Sequence, residues 1–140
     1  MNFEGDLSLL QRKMAASSAG VQRRQAVMEA LNVRSGQSIL DLGCGGGHLV
    51  EELARAVGPH GKAFGLDPSK TQIQAARERC NRFDQATFFC CMADEIALKA
   101  ASCDAVASIQ TLEYIEDVDA ALSAVIPLLK AQSKFVNISI

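Results

Sequence analysis

The residues best placed to do chemistry lie in a glycine-rich run between an apolar segment and a segment of helical period. Asp41 stands two residues before a GxGxG pattern that occupies residues 43–47. Glycines permit a tight turn and let a ligand approach the backbone closely, and the following helix presents free N–H groups. Such a turn serves NAD, FAD or S-adenosylmethionine, or it holds no ligand at all. A dinucleotide fingerprint starting at Gly43 needs a glycine where this chain has His48, which disfavours a nicotinamide oxidoreductase.

A second acid, Asp67, ends the next apolar segment, 24 residues after Gly43. A carboxylate there can accept hydrogen bonds from both hydroxyls of a ribose held over the glycine turn. Alternatively, Asp67 caps a helix that begins at Pro68. Both roles place Asp67 at the same edge of a sheet, and we favour the ribose role.

These residues are positioned by short apolar runs that alternate with longer segments of helical period, a pattern typical of βαβ units and a parallel sheet. In the first helix, Val27, Ala30 and Leu31 form the apolar stripe, whereas Arg23 and Arg24 are expected to be exposed. The pattern predicts helices at 18–31, after the glycine turn, after Pro68 and at 117–129, and strands at 38–42, 62–66, 86–91, 103–109 and 134–140.

Composition excludes several functional classes. The 140 residues are 49% apolar and 21% charged, which predicts one globular domain and excludes intrinsic disorder. A net charge of −2 argues against a nucleic-acid partner. No apolar run approaches the ~18 residues of a membrane span, and the first 13 residues do not resemble a signal peptide.

Cysteine and histidine usage predicts an intracellular protein without a metal site. Five cysteines, an odd number, favour reduced thiols and a cytoplasmic location. The chain has no CxxC motif, and His48 and His60 lie 12 residues apart, so a structural zinc site is not expected. Cys90 and Cys91 are expected to be small core or half-buried residues, with a redox or soft-metal pair as the alternative.

Three ordered runs carry a family resemblance: ILDLGCGGGHLVEELA, GKAFGLDPSKTQIQAARERC and SCDAVASIQTLEYIEDVDAALSAVIPLLK. Together they resemble the class I S-adenosylmethionine-dependent methyltransferases, especially the small-molecule branch with the ubiquinone/menaquinone C-methyltransferases and the arsenite methyltransferases. The resemblance covers about residues 21–140 and leaves 1–20 as an N-terminal segment. It implies a Rossmann-like, doubly wound, mostly parallel α/β sheet with helices on both faces.

The resemblance also implies a cofactor site for S-adenosylmethionine. Asp41 would approach the methionine end, Asp67 would hold the ribose hydroxyls, and the Ala93 backbone would contact the adenine. Gln110 would face the methionine moiety and the acceptor. The complete implied set is Asp41, Gly43, Cys44, Gly45, Gly47, Asp67, Pro68, Ser69, Met92, Ala93 and Gln110.

Three departures from the family pattern stand out. Met92 replaces the acid that usually precedes the Ala93 position, and Asp94 is the nearest substitute. Residues 131–133 read Ala-Gln-Ser where the family has Pro-Gly-Gly, so that turn loses its fixed φ and its permissive glycines. The sequence stops where the family has two more strands, so the resemblance implies a chain truncated after strand five. An uncovered fifth strand predicts self-association through that edge.

The implied reaction is direct methyl transfer to a small-molecule acceptor. The stretch after the fourth strand reads Gln-Thr-Leu-Glu rather than the Asn/Asp-Pro-Pro-Tyr signature of nucleic-acid N-methyltransferases. No catalytic residue is assigned, and we expect His48 to be solvated or to lie at the cofactor edge rather than to act as a base. Acids clustered in 103–120 favour either a cationic substrate or a helix N-terminus. The alternative function is a non-catalytic, cofactor-binding remnant or partner subunit.

Overall fold

The computed structural model describes residues 9, 10, 13 and 17–138, so the last two residues of the predicted fifth strand and most of the N-terminal segment lie outside the described residues. Four α-helices and five strands follow each other along the described chain. They are α1 (Ser18–Leu31), β1 (Ser38–Leu42), α2 (His48–Val57), β2 (Lys62–Leu66), α3 (Lys70–Arg79), β3 (Ala86–Phe89), β4 (Cys103–Ile109), α4 (Val118–Val125) and β5 (Leu129–Ile138). Three short 3₁₀ turns occupy Ala93–Glu95, Leu112–Tyr114 and Ile126–Leu128.

The strands form one sheet in the order β3-β2-β1-β4-β5, and every neighbouring pair is parallel. This order confirms the predicted doubly wound, Rossmann-like sheet. Side chains alternate between its faces, so Ile39 packs in the core with α1, α2 and α3, whereas Leu40 and Leu42 pack in the core that includes α4. Helices therefore cover both faces. Within the described residues, no helix is long and apolar enough to span a membrane.

Several element boundaries differ from the sequence prediction. The third strand ends at Phe89 rather than at residue 91, so Cys90 and Cys91 follow it, and Cys90 is exposed. The predicted helix over 117–129 ends as an α-helix at Val125. Pro127 has no N–H with which to continue the α-helix, and the chain passes through a 3₁₀ turn instead.

The fifth strand begins earlier than predicted and contains an irregularity. Leu129 pairs with Cys103, but the next pair in register is Lys134 with Ala105, so residues 130–133 bulge out of the ladder. Within that bulge, Gln132 has a φ of 62°, in the left-handed region. The turn in which the family usually places glycines therefore keeps a glycine-like backbone while carrying a glutamine.

Helix α1 is more closely packed than its sequence suggested. Val27 and Leu31 are buried as predicted, but Ala30 is exposed. Arg24, which was expected to be exposed, has a side chain only 14% exposed, because its Nε lies 3.3 Å from the Glu52 carboxylate on α2. This ion pair joins α1 to the helix that follows the glycine turn, while α1 packs mainly on β4 and β5.

Candidate functional site

The strand order creates a cleft at the carboxyl ends of the central strands. β1 lies between β2 and β4, and the chain leaves β1 and β4 toward opposite faces, which is where ligands bind in open α/β sheets. A cleft of about 950 Å³ opens at this point. Of the eleven predicted site residues, only Gly47 does not line it; those that do are Asp41, Gly43, Cys44, Gly45, Asp67, Pro68, Ser69, Met92, Ala93 and Gln110.

Two glycines of the turn are required by packing. A Cβ added to Gly43 would clash with the Thr111 side chain, and one added to Gly47 would lie 2.8 Å from the Cβ of Ala76. The turn is also fixed to the next strand, because the N–H groups of Gly43 and Cys44 both donate to the Leu66 carbonyl at 2.8 Å. These contacts explain why Gly43 and Gly47 are glycines without reference to a ligand.

Gly45 has no such packing explanation. Its φ is 52°, and no atom lies within 4 Å of the position that a Cβ would take. Since Gly45 lines the cleft, the missing side chain leaves open space inside the cleft itself. The positive φ of Gly45 favours glycine by itself, and its position in the cleft leaves room for a ligand to lie against the backbone.

The Asp67 carboxylate connects the loops that follow β1 and β2. Its Oδ2 accepts a hydrogen bond from the Gly45 N–H at 3.0 Å, and its Oδ1 accepts one from the Ser69 N–H at 2.9 Å. Asp67 is not the cap of α3, because the Ser69 side chain accepts from the Gln72 N–H at 3.3 Å and fills that role. A carboxylate has about four lone-pair sites, so Asp67 retains about two that can face a ligand.

The acids on the cleft floor are costly to bury. Asp41 is 3% exposed, and burial, followed by the charge of Asp67, raises its pKa well above the usual range. Burial also raises the pKa of Asp67, with the N–H groups of Ser69 and Gly45 opposing the shift. The pKa of the Cys44 thiol is raised by burial and by both acids, so the thiol remains protonated. Buried, perturbed carboxylates in a cleft are typical of a functional site rather than of a stabilising one.

His48 begins α2 and lines the cleft beside the glycine turn. Its Nε2 is buried and makes no hydrogen bond with the described residues. Burial and the guanidinium groups of Arg79 and Arg24 lower its pKa from 6.5 to about 4. His48 is therefore neutral at physiological pH, and it lines the cleft as a half-buried residue rather than a solvated one.

The adenine end implied by the resemblance lies at Met92 and Ala93. Ala93 is buried, whereas Met92 is 49% exposed and its N–H donates to Glu95 Oε1 at 3.0 Å. Asp94, the nearest substitute for the acid that the family usually has, is exposed and is not among the cleft-lining residues. A thioether therefore occupies the place of that acid.

The segment after β4 closes the other side of the cleft. Gln110 has a φ of 52°, which is uncommon for a residue with a side chain, and its N–H donates to the Ile138 carbonyl at 2.6 Å. Thr111 packs against Gly43, and its hydroxyl donates to the Ile109 carbonyl at 3.1 Å. Strained, well-anchored backbone beside a cleft is a common property of ligand sites.

Sequence reasoning missed part of the cleft wall. Leu10, Gly20, Arg23 and Arg24 line it from the N-terminal side, and Gln72 lines it from α3. No local motif marks these residues, since their proximity to the glycine turn arises only from tertiary packing. Of these residues, Gln72 has an unusual burial, because its side chain is 2% exposed although glutamine is seldom buried.

The acids clustered in 103–120 have mainly structural contacts. Asp117 caps α4 by accepting from the Ala120 N–H at 3.0 Å. Asp104 accepts from the Ser38 N–H at 2.8 Å and pairs with Lys130 at 3.0 Å. Glu116 does line the cleft. The helix-terminus interpretation therefore accounts for Asp117, and a sheet contact accounts for Asp104.

Comparisons with known proteins agree with this geometry. Residues 33–140 match the methyltransferase domain family. The ubiquinone biosynthesis O-methyltransferase of Rhodopseudomonas palustris (strain BisB5) is 31% identical over 102 residues, which are 73% of this chain and 39% of the relative. The chain spans 24% to 39% of the length of the first curated relatives that it matches.

Solved structures show the same fold. An S-adenosylmethionine-dependent methyltransferase of Aquifex aeolicus superposes with a TM-score of 0.74 at 19% identity, over 81% of this chain and 62% of that one. Phosphoethanolamine N-methyltransferase 2 of Haemonchus contortus, in complex with S-adenosyl-L-methionine, gives 0.73 at 25% identity over 82% of this chain and 27% of that one. The family match, the sheet order and the cleft together show that this chain belongs to the class I S-adenosylmethionine-dependent methyltransferases.

Proposed function

We propose that the cleft binds S-adenosylmethionine and that the protein transfers its methyl group to a small-molecule acceptor. Support for the cofactor comes from the family and from the Haemonchus contortus relative in complex with S-adenosyl-L-methionine. Support for a small-molecule acceptor comes from the ubiquinone biosynthesis relative and from the net charge of −2. Five free cysteines support a reducing compartment such as the cytoplasm.

The observation that carries the proposal is the pairing of Gly45 with Asp67. Gly45 leaves open space against the backbone, and Asp67 is held beside it by two N–H groups, with acceptor capacity to spare. A ribose offers two hydroxyl donors, which match that capacity. The chemistry of these groups fits the nucleoside part of the cofactor.

The proposal also fits the charges on the cleft floor. S-Adenosylmethionine, when bound, supplies a methyl group already activated by a sulfonium cation. A sulfonium cation beside Asp41 and Asp67 would favour their charged forms, and so would oppose the burial that raises the pKa of both carboxyl groups. The chain would then contribute mainly binding and alignment through Asp41, Gly45, Asp67 and Gln110. We assign no catalytic residue, since a general base is needed only if the acceptor arrives protonated.

Calorimetric titration with S-adenosylhomocysteine tests the cofactor site. Asp67→Ala is expected to weaken binding by about 1.5–3 kcal/mol, the range for hydrogen bonds to a charged group. Asp104→Ala is a matched control, because Asp104 also accepts a backbone N–H, at 2.8 Å, but does not line the cleft. Equal affinities for wild type and Asp67→Ala would refute the ribose assignment.

A second candidate function is cofactor binding without methyl transfer, as a remnant or partner subunit. Met92 favours it, because a thioether stands where the family has an adenine-binding acid. Transfer of a labelled methyl group from S-adenosylmethionine to a panel of small hydroxylated and amino compounds separates the two functions. Binding with no transfer to any compound would favour the partner role.

A further inference from the structure

We infer that Arg79, the last residue of α3, is a positioning residue that holds the glycine turn in the conformation that binds the cofactor. Its Nε donates a hydrogen bond to the Gly46 carbonyl at 3.1 Å. Gly46 lines the cleft, but it stands at a position that the GxGxG pattern leaves open, and Arg79 itself does not line the cleft. The inference rests on the proposed function, to which it adds a residue that acts on the cofactor site from outside it.

The two halves of the glycine turn are held by different elements. The first half is tied to β2 and to the Asp67 carboxylate, which accepts from the Gly45 N–H. The second half lacks the usual attachment to the helix that follows, because the N-cap of α2 is Gly47, which has no side chain to make a capping hydrogen bond. The contacts that fix this half come instead from α3.

Two consecutive residues at the end of α3 contact two consecutive glycine carbonyls. Arg79 donates to Gly46, and the thiol of the buried Cys80 lies 3.7 Å from the Gly47 carbonyl. A thiol is a weak donor, and the Gly47 carbonyl also accepts the Glu51 N–H at 2.9 Å. Gly46 is buried, and a buried carbonyl needs a partner, which among the described residues Arg79 supplies. The arginine therefore makes the more important of the two contacts.

Loss of this hydrogen bond is expected to affect binding more than folding. The donor belongs to a charged guanidinium, so the bond is stronger than one between neutral groups. Without it, the run of glycines around Gly46 has unusual conformational freedom, and a ligand must order the turn as it binds, which reduces affinity. Arg79 is otherwise exposed, so its replacement leaves the core intact.

Arg79 offers the turn both a donor and a charge. After burial, its guanidinium is the largest cause that lowers the pKa of His48, so it lies close to the start of α2. The two properties can be separated, because the Nε2 of glutamine follows the same three side-chain carbons as the Nε of arginine. Arg79→Gln therefore keeps an N–H donor without the charge, whereas Arg79→Met removes both.

Calorimetric titration with S-adenosylhomocysteine, on variants shown by urea unfolding to be folded, tests the inference. Arg79→Met is expected to weaken binding about fivefold, the effect of losing one hydrogen bond, and Arg79→Gln to stay within about twofold of wild type. Arg77→Met is the matched control. Arg77 is an exposed arginine on the same helix, but its Nη2 lies 3.5 Å from the Phe88 carbonyl on β3, and it does not line the cleft. Its affinity should equal that of wild type.

Amide hydrogen exchange measures the conformation of the turn without any ligand. The Gly47 N–H donates to the Cys44 carbonyl at 3.0 Å inside the turn, so its exchange reports on opening of the turn. In ligand-free protein, exchange at Gly47 is expected to be about fivefold faster in Arg79→Met than in wild type, and unchanged in Arg77→Met.

The outcomes distinguish this inference from the proposed function. Wild-type affinity for S-adenosylhomocysteine in Arg79→Met would overturn the inference and leave the proposed function intact. Equal losses in Arg79→Gln and Arg79→Met would assign the effect to charge and would also overturn it. If the wild-type protein does not bind S-adenosylhomocysteine, the proposed function is wrong, and exchange at Gly47 still decides whether Arg79 holds the turn.

Discussion

The carboxylate of Asp67 accepts a hydrogen bond from the N–H of Gly45 at 3.0 Å, and this contact joins the loop after β1 to the loop after β2. The other carboxylate oxygen accepts from the Ser69 N–H at the cap of α3. One side chain therefore orders two loops on the floor of the cleft. Because the cost of burying it raises its pKa, this carboxylate is better explained by ligand binding than by stability.

A comparison of two glycines of similar conformation distinguishes the cost of backbone strain from the loss of ligand binding. Gly45 and Gly36 both have positive φ values, 52° and 86°, and neither has an atom within 4 Å of a built Cβ. Gly45→Ala and Gly36→Ala should therefore cost similar stability, about 1 kcal/mol each, in urea unfolding. Only Gly45→Ala is expected to weaken S-adenosylhomocysteine binding, by at least about tenfold, since its methyl group enters the cleft.

The contrary results are equally clear. If both glycine variants bind S-adenosylhomocysteine as wild type does, the ligand does not lie against Gly45. If both lose binding together, the effect arises from destabilisation, and Gly45 has no special role in the cleft.

Sequence reasoning succeeded where the signal is local. The glycine turn and Asp67 could be identified because a strand end, a tight turn and a helix start are encoded within a few residues. The parallel sheet was predicted from the alternation of strands and helices, and its doubly wound arrangement was implied by the family resemblance. The end of α4 was misplaced because the apolar period continues through Pro127, although the backbone cannot continue as an α-helix there.

The rest of the site depends on contacts between distant segments. Thr111 determines that position 43 must be glycine, yet the two residues are 68 positions apart. Arg24 lines the cleft from α1 and pairs with Glu52 on α2, 28 positions away in the chain. Neither of these contacts between distant residues produces a pattern that can be recognised in a single sequence.

The bulge in β5 predicts a stabilising substitution. Gln132 has a φ of 62°, which costs a residue with a Cβ about 1–2 kcal/mol, whereas glycine adopts it freely. Gln132→Gly is expected to raise the free energy of unfolding by about 0.5–1 kcal/mol after the entropy of glycine is subtracted. The neighbouring exposed Ala131, with no positive φ, is the control, and Ala131→Gly should not stabilise. A loss of stability in Gln132→Gly would show that its side chain matters more than its backbone.

His48 predicts a loss of stability in mild acid. Its pKa is lowered from 6.5 to about 4 in the folded protein, so the unfolded chain binds a proton that the folded chain excludes. The contribution is therefore fully present above pH 6.5 and is lost as the pH falls toward 4. Because the ring is partly exposed, we discount the effect to about 1 kcal/mol between pH 7 and pH 5.

Urea unfolding at the two pH values measures this effect. His48→Gln should lose less stability on acidification than wild type does, by about 1 kcal/mol. His60→Gln, at an exposed histidine in the turn after α2, should behave as wild type. If the pH dependence of the free energy of unfolding is unchanged in His48→Gln, burial of His48 is not the cause of the loss of stability in mild acid.

We predict that this 140-residue chain self-associates through β5, which is an edge strand of the sheet in the part of the chain that the structure describes. β5 is the last strand in the sheet order, and residues 135–138 are β-prone and uncharged. Asn137→Lys, at an exposed position on β5, is expected to weaken association several-fold in sedimentation velocity. Thr87→Lys places the same charge at an exposed position on β3, at the opposite edge of the sheet. This variant should not weaken association. A monomer at all concentrations, or equal effects at both edges, would contradict pairing through β5.

Competitive calorimetry with S-adenosylmethionine and NAD tests the central claim most directly. The structure combines an open Gly45, an Asp67 carboxylate with acceptor capacity to spare, and His48 where a dinucleotide fingerprint needs glycine. We predict that S-adenosylmethionine binds at one site per chain and that NAD neither binds nor competes. Binding of NAD, or no heat with S-adenosylmethionine from folded protein, would contradict the account.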